Sequence, residues 1–199
     1  MFDYERLILY KQYLNTIQAY LDEYFDSQKE YICCKKGCAF CCEKGTYPYS
    51  EIEFNYLKLG FLKLNLEEQQ AIMKRVMVLK EEYKNTSDKK HFMHRCPFLN
   101  EENSCSLYDY RGLICRTFGL LKPSEKGEII IPFCQSLGLN YSKVYNKEKK
   151  IIDEELVLKE GYKNRPKAYD LSFKTLMDKN LFKDVEIDFG EIKSIIEWL

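Results

Sequence analysis

Along residues 3–25, Leu7, Tyr10, Leu14, Ile17, Leu21 and Tyr24 recur at alternating steps of three and four. That spacing lines one face of an amphipathic helix. The same face could serve as a coiled-coil seam, but about three heptads are short for one, so packing onto the domain's own core is expected. Ser50 followed by Glu53 is a capping-box signature and predicts a helix running through Phe54 and Leu57 to about Phe61. A second helix follows from about Leu66, with Ile72, Val76, Leu79 and Tyr83 on one face and Lys and Glu opposite. Joined near Leu64-Asn65, the two would run out and back and return the chain to where it left.

Between Cys96 and Cys134 the pattern shortens. Asn100-Glu101-Glu102-Asn103 separates Phe98-Leu99 from Ser106-Leu107-Tyr108, and Pro123-Ser124-Glu125-Lys126-Gly127 separates Gly119-Leu120-Leu121 from Ile129-Ile130-Ile131. Both read as turn-linked short strands, with Cys134 ending the strand from Ile129 to Phe133. Beyond Tyr141 the chain returns to charged, helix-like stretches that carry Phe173, Leu176 and Met177, then Ile192, Ile195, Ile196 and Leu199. The expected fold is mainly α with a small irregular β portion, the helices set around a cysteine-ligated metal centre. A chain of 199 residues has material for one domain with a core. We expect a single domain over 1–199, with an N-terminal helix at 1–29, a cysteine cluster core at 30–135 and a helical C-terminal extension at 136–199.

Charge narrows the partners. Lys and Arg total 31, as do Asp and Glu, so no net field draws in nucleic acid or an anionic membrane. Charged groups interrupt the first 25 residues, which excludes a signal peptide's apolar stretch, and no run is long enough to span a bilayer. The cytoplasm is the expected compartment, where thiols stay reduced and clustered cysteines read as metal ligands more than as disulfides.

Of nine cysteines, Cys34, Cys38, Cys41 and Cys42 are packed together, and Cys96, Cys105, Cys115 and Cys134 follow at wide intervals. Thiolates at short fixed separations converge where a soft cation or an iron–sulfur cluster holds them. These eight are the expected metal ligands, and Gly37 gives the tight run freedom to turn. Cys41 and Cys42 are hard to place on one metal, because neighbouring side chains diverge. Cys115 is expected on a single helical turn. Taken alone, a cysteine such as Cys115 or Cys134 is more often a small buried hydrophobe; as a series, they favour ligation. The fold should bring at least one sulfur of the second group to the first.

The order Cys-x3-Cys-x2-Cys-Cys, Cys-Pro-x-Leu, Cys-x-x-Tyr and Arg-x-x-x-Cys-Arg-x-Phe occupies Cys34 to Cys42, Cys96 to Leu99, Cys105 to Tyr108 and Arg111 to Phe118. It resembles the CxxCxxCC family of zinc- or iron-chelating proteins, also called the YkgJ-type cysteine cluster family, over roughly residues 30 to 135. Two departures stand out: Gly112 lies where the family commonly has Pro, and Cys33 has no counterpart. The same cysteine domain occurs in flagellin lysine N-methylases, so the resemblance admits an enzyme that modifies protein lysine.

Zinc and iron both remain open, with the spacing leaning to iron–sulfur. A four-cysteine Zn2+ site usually pairs two CxxC knuckles, and only Cys38 to Cys41 is present; clusters accept a tight run plus remote ligands. His91 and His94 would suit zinc, but the preferred reading is a basic helix end beside the last carbonyls. Arg111, Arg116 and Tyr108 would bind an anion if catalysis occurs, and otherwise support the centre through hydrogen bonds to sulfurs or carbonyls. Cys34-x3-Cys38-x-Phe40-Cys41 also fits the radical S-adenosylmethionine pattern, but the barrel of alternating strands and helices which that chemistry uses is not foreseen here. The expected function is a metal-binding protein holding an iron–sulfur cluster or zinc, with the metal as its partner and room for a protein partner besides. The alternative is an iron–sulfur-dependent protein lysine N-methylase or part of one.

Overall fold

The computed structural model describes residues 3–35, 37–124, 126, 128–171, 175–176 and 187–199. Lys36, Glu125, Gly127, Phe173 and Met177, which figured in the expectations above, lie outside the described residues. Helix and small antiparallel strand pairs make up the fold, as the hydrophobic pattern predicts. Contacts gather into two compact units: Met1–Tyr13, Lys36–Arg116 and Lys183–Leu199 form the first, and Leu14–Lys35 with Thr117–Phe182 the second. Helix α1, Tyr4–Ser27, contributes to both. Its predicted stripe is realised, with Leu7, Tyr10, Leu14, Ile17 and Leu21 all buried.

In the first unit, α2 (Phe40–Glu43) leads to β1 (Pro48–Ser50), α3 (Glu51–Phe61) and α4 (Leu66–Asn85). Both long helices begin at capping boxes. Ser50 caps α3 with Glu53, and Asn65 caps α4 with Glu68, each box meeting two of the amide donors that a helix start leaves unpaired. Phe54 and Leu57 of α3 and Ile72 and Val76 of α4 share one apolar cluster with Tyr49, Phe98, Leu107 and Ile195. Each such side chain contributes about 1.5–3 kcal/mol on full burial.

The expected helical stretch near the C-terminus is half strand. Ile192–Ser194 forms β6, antiparallel to β1 with Pro48 opposite Ser194, and only then does α7 (Ile195–Trp198) follow. Trp198 stacks on Phe54 at 5.5 Å and donates its indole N–H to the Tyr49 carbonyl at 2.8 Å. The hairpin expected after Cys96 shrinks to one bridge, Leu99 to Cys105, closed by Asn103 in a left-handed conformation. Short helix α5 (Leu113–Thr117) carries Cys115, as foreseen.

The second unit packs Tyr31, Leu121, Tyr141, Val144, Ile152 and Val157 together. Its strand pairs are β2 (Lys122–Pro123) with β3 (Ile129–Ile130), and β4 (Tyr145–Asn146) with β5 (Ile151–Ile152); α6 (Glu154–Lys159) starts at an Asp153 cap. Cys134 does not end a strand. The β3 pairing stops at Ile130, and Cys134 lies in a 3-10 turn, Phe133–Leu137, that opens after Pro132. Proline has no N–H to continue a ladder. No helix among the described residues is long and apolar enough to cross a membrane.

Candidate metal centre

Return of the chain through α3 and α4 sets residues 94–96 beside residues 42–45. Gly45 and His94 exchange both backbone hydrogen bonds, at 3.1 and 3.2 Å, and the Cys96 amide donates to the Cys42 carbonyl at 2.7 Å. A sulfur-bearing stretch of the second group is thereby tied to the first.

Four thiols of this unit form one electrostatic set. Cys96 feels Cys115, Cys105 and Cys42; Cys115 feels Cys42 and Cys105; Cys105 feels Cys42. Although each residue keeps some exposed surface, desolvation is the largest influence on three of them: it pushes Cys96 up, Cys105 to about 11 and Cys115 to about 12. Cys42 moves the other way, down to about 7, chiefly through its hydrogen bond with Cys41. The Cys41 and Cys42 sulfurs stand 3.9 Å apart. The sulfurs of these neighbours therefore do not diverge as expected. Two thiolates bound at about 2.3 Å to one tetrahedral ion stand roughly 3.8 Å apart.

Donors surround these sulfurs. The amides of Phe98 and Leu107 hydrogen-bond to the Cys96 and Cys105 sulfurs two residues before them. Tyr49 accepts the Gly112 N–H at 3.2 Å, which leaves its own proton for the Cys115 sulfur at 3.4 Å. Gly112 meets this need twice: a Cβ there would stand 2.7 Å from the Tyr49 ring, and a proline would have no N–H to give. Glu53, fully buried, takes the Ser50 amide and hydroxyl, each at 2.8 Å, and the Leu113 amide at 2.7 Å. It thus anchors the start of α5 and so the position of Cys115. Tyr47 donates its hydroxyl to the Cys41 carbonyl.

The Arg111 charge favours the thiolate forms of Cys42, Cys105 and Cys115, while its guanidinium lies 3.5 Å over the Tyr108 ring. Arg111 donates to the Tyr108 carbonyl, and Arg116 to the Arg111 and Asp109 carbonyls. Both arginines therefore bind carbonyls, as one of the two sequence readings has it.

The histidines do not end a helix, because α4 stops at Asn85. His91 is exposed and pairs with Asp88 at 2.9 Å, whereas His94 is buried. Cys38 is half-buried ahead of α2. Gly37 turns with φ +89, and nothing would crowd a Cβ there, so it serves the turn alone. Among the described residues, no three His, Cys, Asp or Glu side chains are already arranged to hold an ion. Cys42, Cys96, Cys105 and Cys115 nevertheless have the donor chemistry that zinc and iron favour.

The second unit carries Cys33, Cys34 and Cys134. Asn140, 1% exposed, donates its amide N–H to the Cys34 sulfur at 3.0 Å and to the Gly119 carbonyl at 3.3 Å, and accepts the Cys33 amide at 2.7 Å. Cys34 and Cys134 both lie within electrostatic reach of the Tyr141 hydroxyl, whose pKa is raised mainly by burial. Gly119 has φ +109, and a Cβ there would stand 2.6 Å from the Cys34 sulfur. Gly119→Ala should destabilise the protein by about 3 kcal/mol, from backbone strain and overpacking together. Chemical denaturation checks this, and a change under 1 kcal/mol would show that the Cys34 side chain is free to move away.

Tyr47, Tyr49 and Asn140 were missed from sequence, and Glu53 was read there only as a helix cap and not as the anchor of α5. Alternation of Tyr47 and Tyr49 ahead of the Ser50 cap was the available signal, since residues two apart on a strand share a face. No curated protein and no solved structure matches the chain. The family described as "Putative zinc- or iron-chelating domain" matches residues 33–135, just over half of the sequence, and the chain belongs to this CxxCxxCC family.

Proposed function

We propose that the chain chelates a thiophilic metal centre through Cys42, Cys96, Cys105 and Cys115. The observation that carries this is that four thiols from four separate stretches of chain lie within electrostatic reach of one another. Three desolvated thiols with raised pKa values repel one another as thiolates. A divalent ion or cluster replaces that repulsion with attraction and takes their protons.

Of the two metals that fit, iron held as an iron–sulfur cluster is favoured. No two of the four cysteines lie at the CxxC spacing from which four-cysteine zinc sites are usually built, and clusters accept wide, irregular intervals. Either group would lend the unit a staple between segments far apart in sequence.

Anaerobic purification followed by iron, zinc and acid-labile sulfide analysis tests this reading. Iron and sulfide in equal amounts, with visible charge-transfer absorption, are expected in the native chain and should disappear from Cys96→Ser. Zinc without sulfide would replace the cluster with an ion at the same thiols. A native chain that binds neither metal would end the proposal.

A further inference from the structure

The immediate surroundings of His94 leave this ligand-type side chain chemically unfinished. It is 5% exposed. Its Nδ1 lies 3.0 Å from the Arg95 carbonyl. A carbonyl only accepts, so Nδ1 must carry the proton and Nε2 the lone pair. That Nε2 is buried and has no hydrogen-bond partner among the described residues. A buried acceptor left unmet costs about 1–3 kcal/mol, so a fold that keeps one needs a further donor or ion there.

Position says which. His94 forms an isolated bridge with Gly45 and precedes Cys96, whose amide binds the Cys42 carbonyl, by two residues. Arg95, between them, binds the Glu43 carboxylate at 3.1 Å and the Asn100 carbonyl at 3.1 Å. Phe92 stacks against His94 at 5.6 Å and holds the ring from its other side. The imidazole is therefore fixed in tautomer by a backbone carbonyl and in plane by a phenyl ring, two residues before Cys96. A histidine that binds a metal through one nitrogen commonly donates its other N–H to a carbonyl in this way.

We propose that His94 Nε2 is a nitrogen ligand of the metal centre, filling one of its positions together with thiolates of the set Cys42, Cys96, Cys105 and Cys115. The inference rests on the reading of those four thiols as the centre, and it changes the ligation from thiolate alone to mixed nitrogen and sulfur. Zinc and iron both accept imidazole.

The experiment uses the full chain, labelled with 15N at histidine, freed of metal and titrated anaerobically with Zn2+ alone as the probe. Free thiols are counted at each step, and the His94→Gln chain identifies the resonance. Binding at the proposed atom moves the His94 Nε2 signal away from the unprotonated imidazole position at one equivalent, while Nδ1 stays protonated and the thiol count falls. His94→Gln should then bind Zn2+ at least about 10-fold more weakly. A thiol count that falls while the Nε2 signal stays in place overturns the histidine ligand and leaves the four-thiol centre standing. No change in either overturns both.

Discussion

Removing the metal should loosen four stretches of the first unit together: Cys42–Gly45, His94–Leu99, Cys105–Leu107 and Leu113–Thr117. Each contains or adjoins one thiol of the set of four, and Cys42–Gly45 and His94–Cys96 are joined by three backbone hydrogen bonds. Structural thiolate-bound zinc contributes on the order of 10 kcal/mol to the folding of small domains, which is comparable to a whole domain's net stability. Without the ion, buried thiols must stay protonated, and the segments lose the charge that draws them together. Amide hydrogen exchange with and without a chelator reads this directly. All four stretches should lose protection in parallel, and Cys96→Ser should reproduce the chelated pattern in the absence of chelator. Loss confined to Cys42–Gly45 would mean that the later cysteines do not share the centre.

The helices were legible because their signals are local. The stripe of α1 and the Ser50 cap of α3 are complete within one or two turns of chain, and the structure realises both. Strand β6 was not legible. It is three residues long and pairs with β1, whose residues precede it by more than a hundred positions, and its Ile192 falls in step with Ile195 and Ile196 as a helix would have it. Likewise the single bridge at Leu99 and Cys105 looks like a hairpin in sequence, since turn residues mark where a chain reverses but not how far its arms pair.

The cysteines were legible as a set and not as a site. Spacing singles out Cys34, Cys38 and Cys41; in the structure the Cys41 sulfur lies against that of Cys42, and Cys42, Cys96, Cys105 and Cys115 fall within electrostatic reach of one another. What brings them together is the α3–α4 return, which the helix pattern foresees, and the Gly45 to His94 bridge, which it does not. The same holds for Gly112. In sequence it is a departure from a common proline; in the structure its bare Cα and its N–H are both used by Tyr49.

Glu53→Ala should cost about 3–5 kcal/mol and displace Cys115 in the same step. Its carboxylate accepts the Ser50 and Leu113 amides, and each buried amide left unmet costs about 1–3 kcal/mol. Glu53→Gln keeps the shape and one carbonyl oxygen, so it should lose about half as much, because its NH2 must face one of the two amide donors. Burial is the largest influence on this carboxyl and holds its pKa above 4.5, against the pull of its hydrogen bonds and the Arg116 charge. The sign follows from that shift: the stability tied to Glu53 is complete below pH 4.5 and declines as the pH rises through the higher folded value. Glu53→Gln has no carboxyl to ionise and should remove that slope. Denaturant unfolding of the metal-free chains across this range measures both effects, and alkylation of Cys115 in the folded protein reports its displacement. If Glu53→Ala unfolds at the native denaturant midpoint and Cys115 reacts no faster, then α5 is held by its apolar contacts and the buried carboxylate is not what positions the thiol.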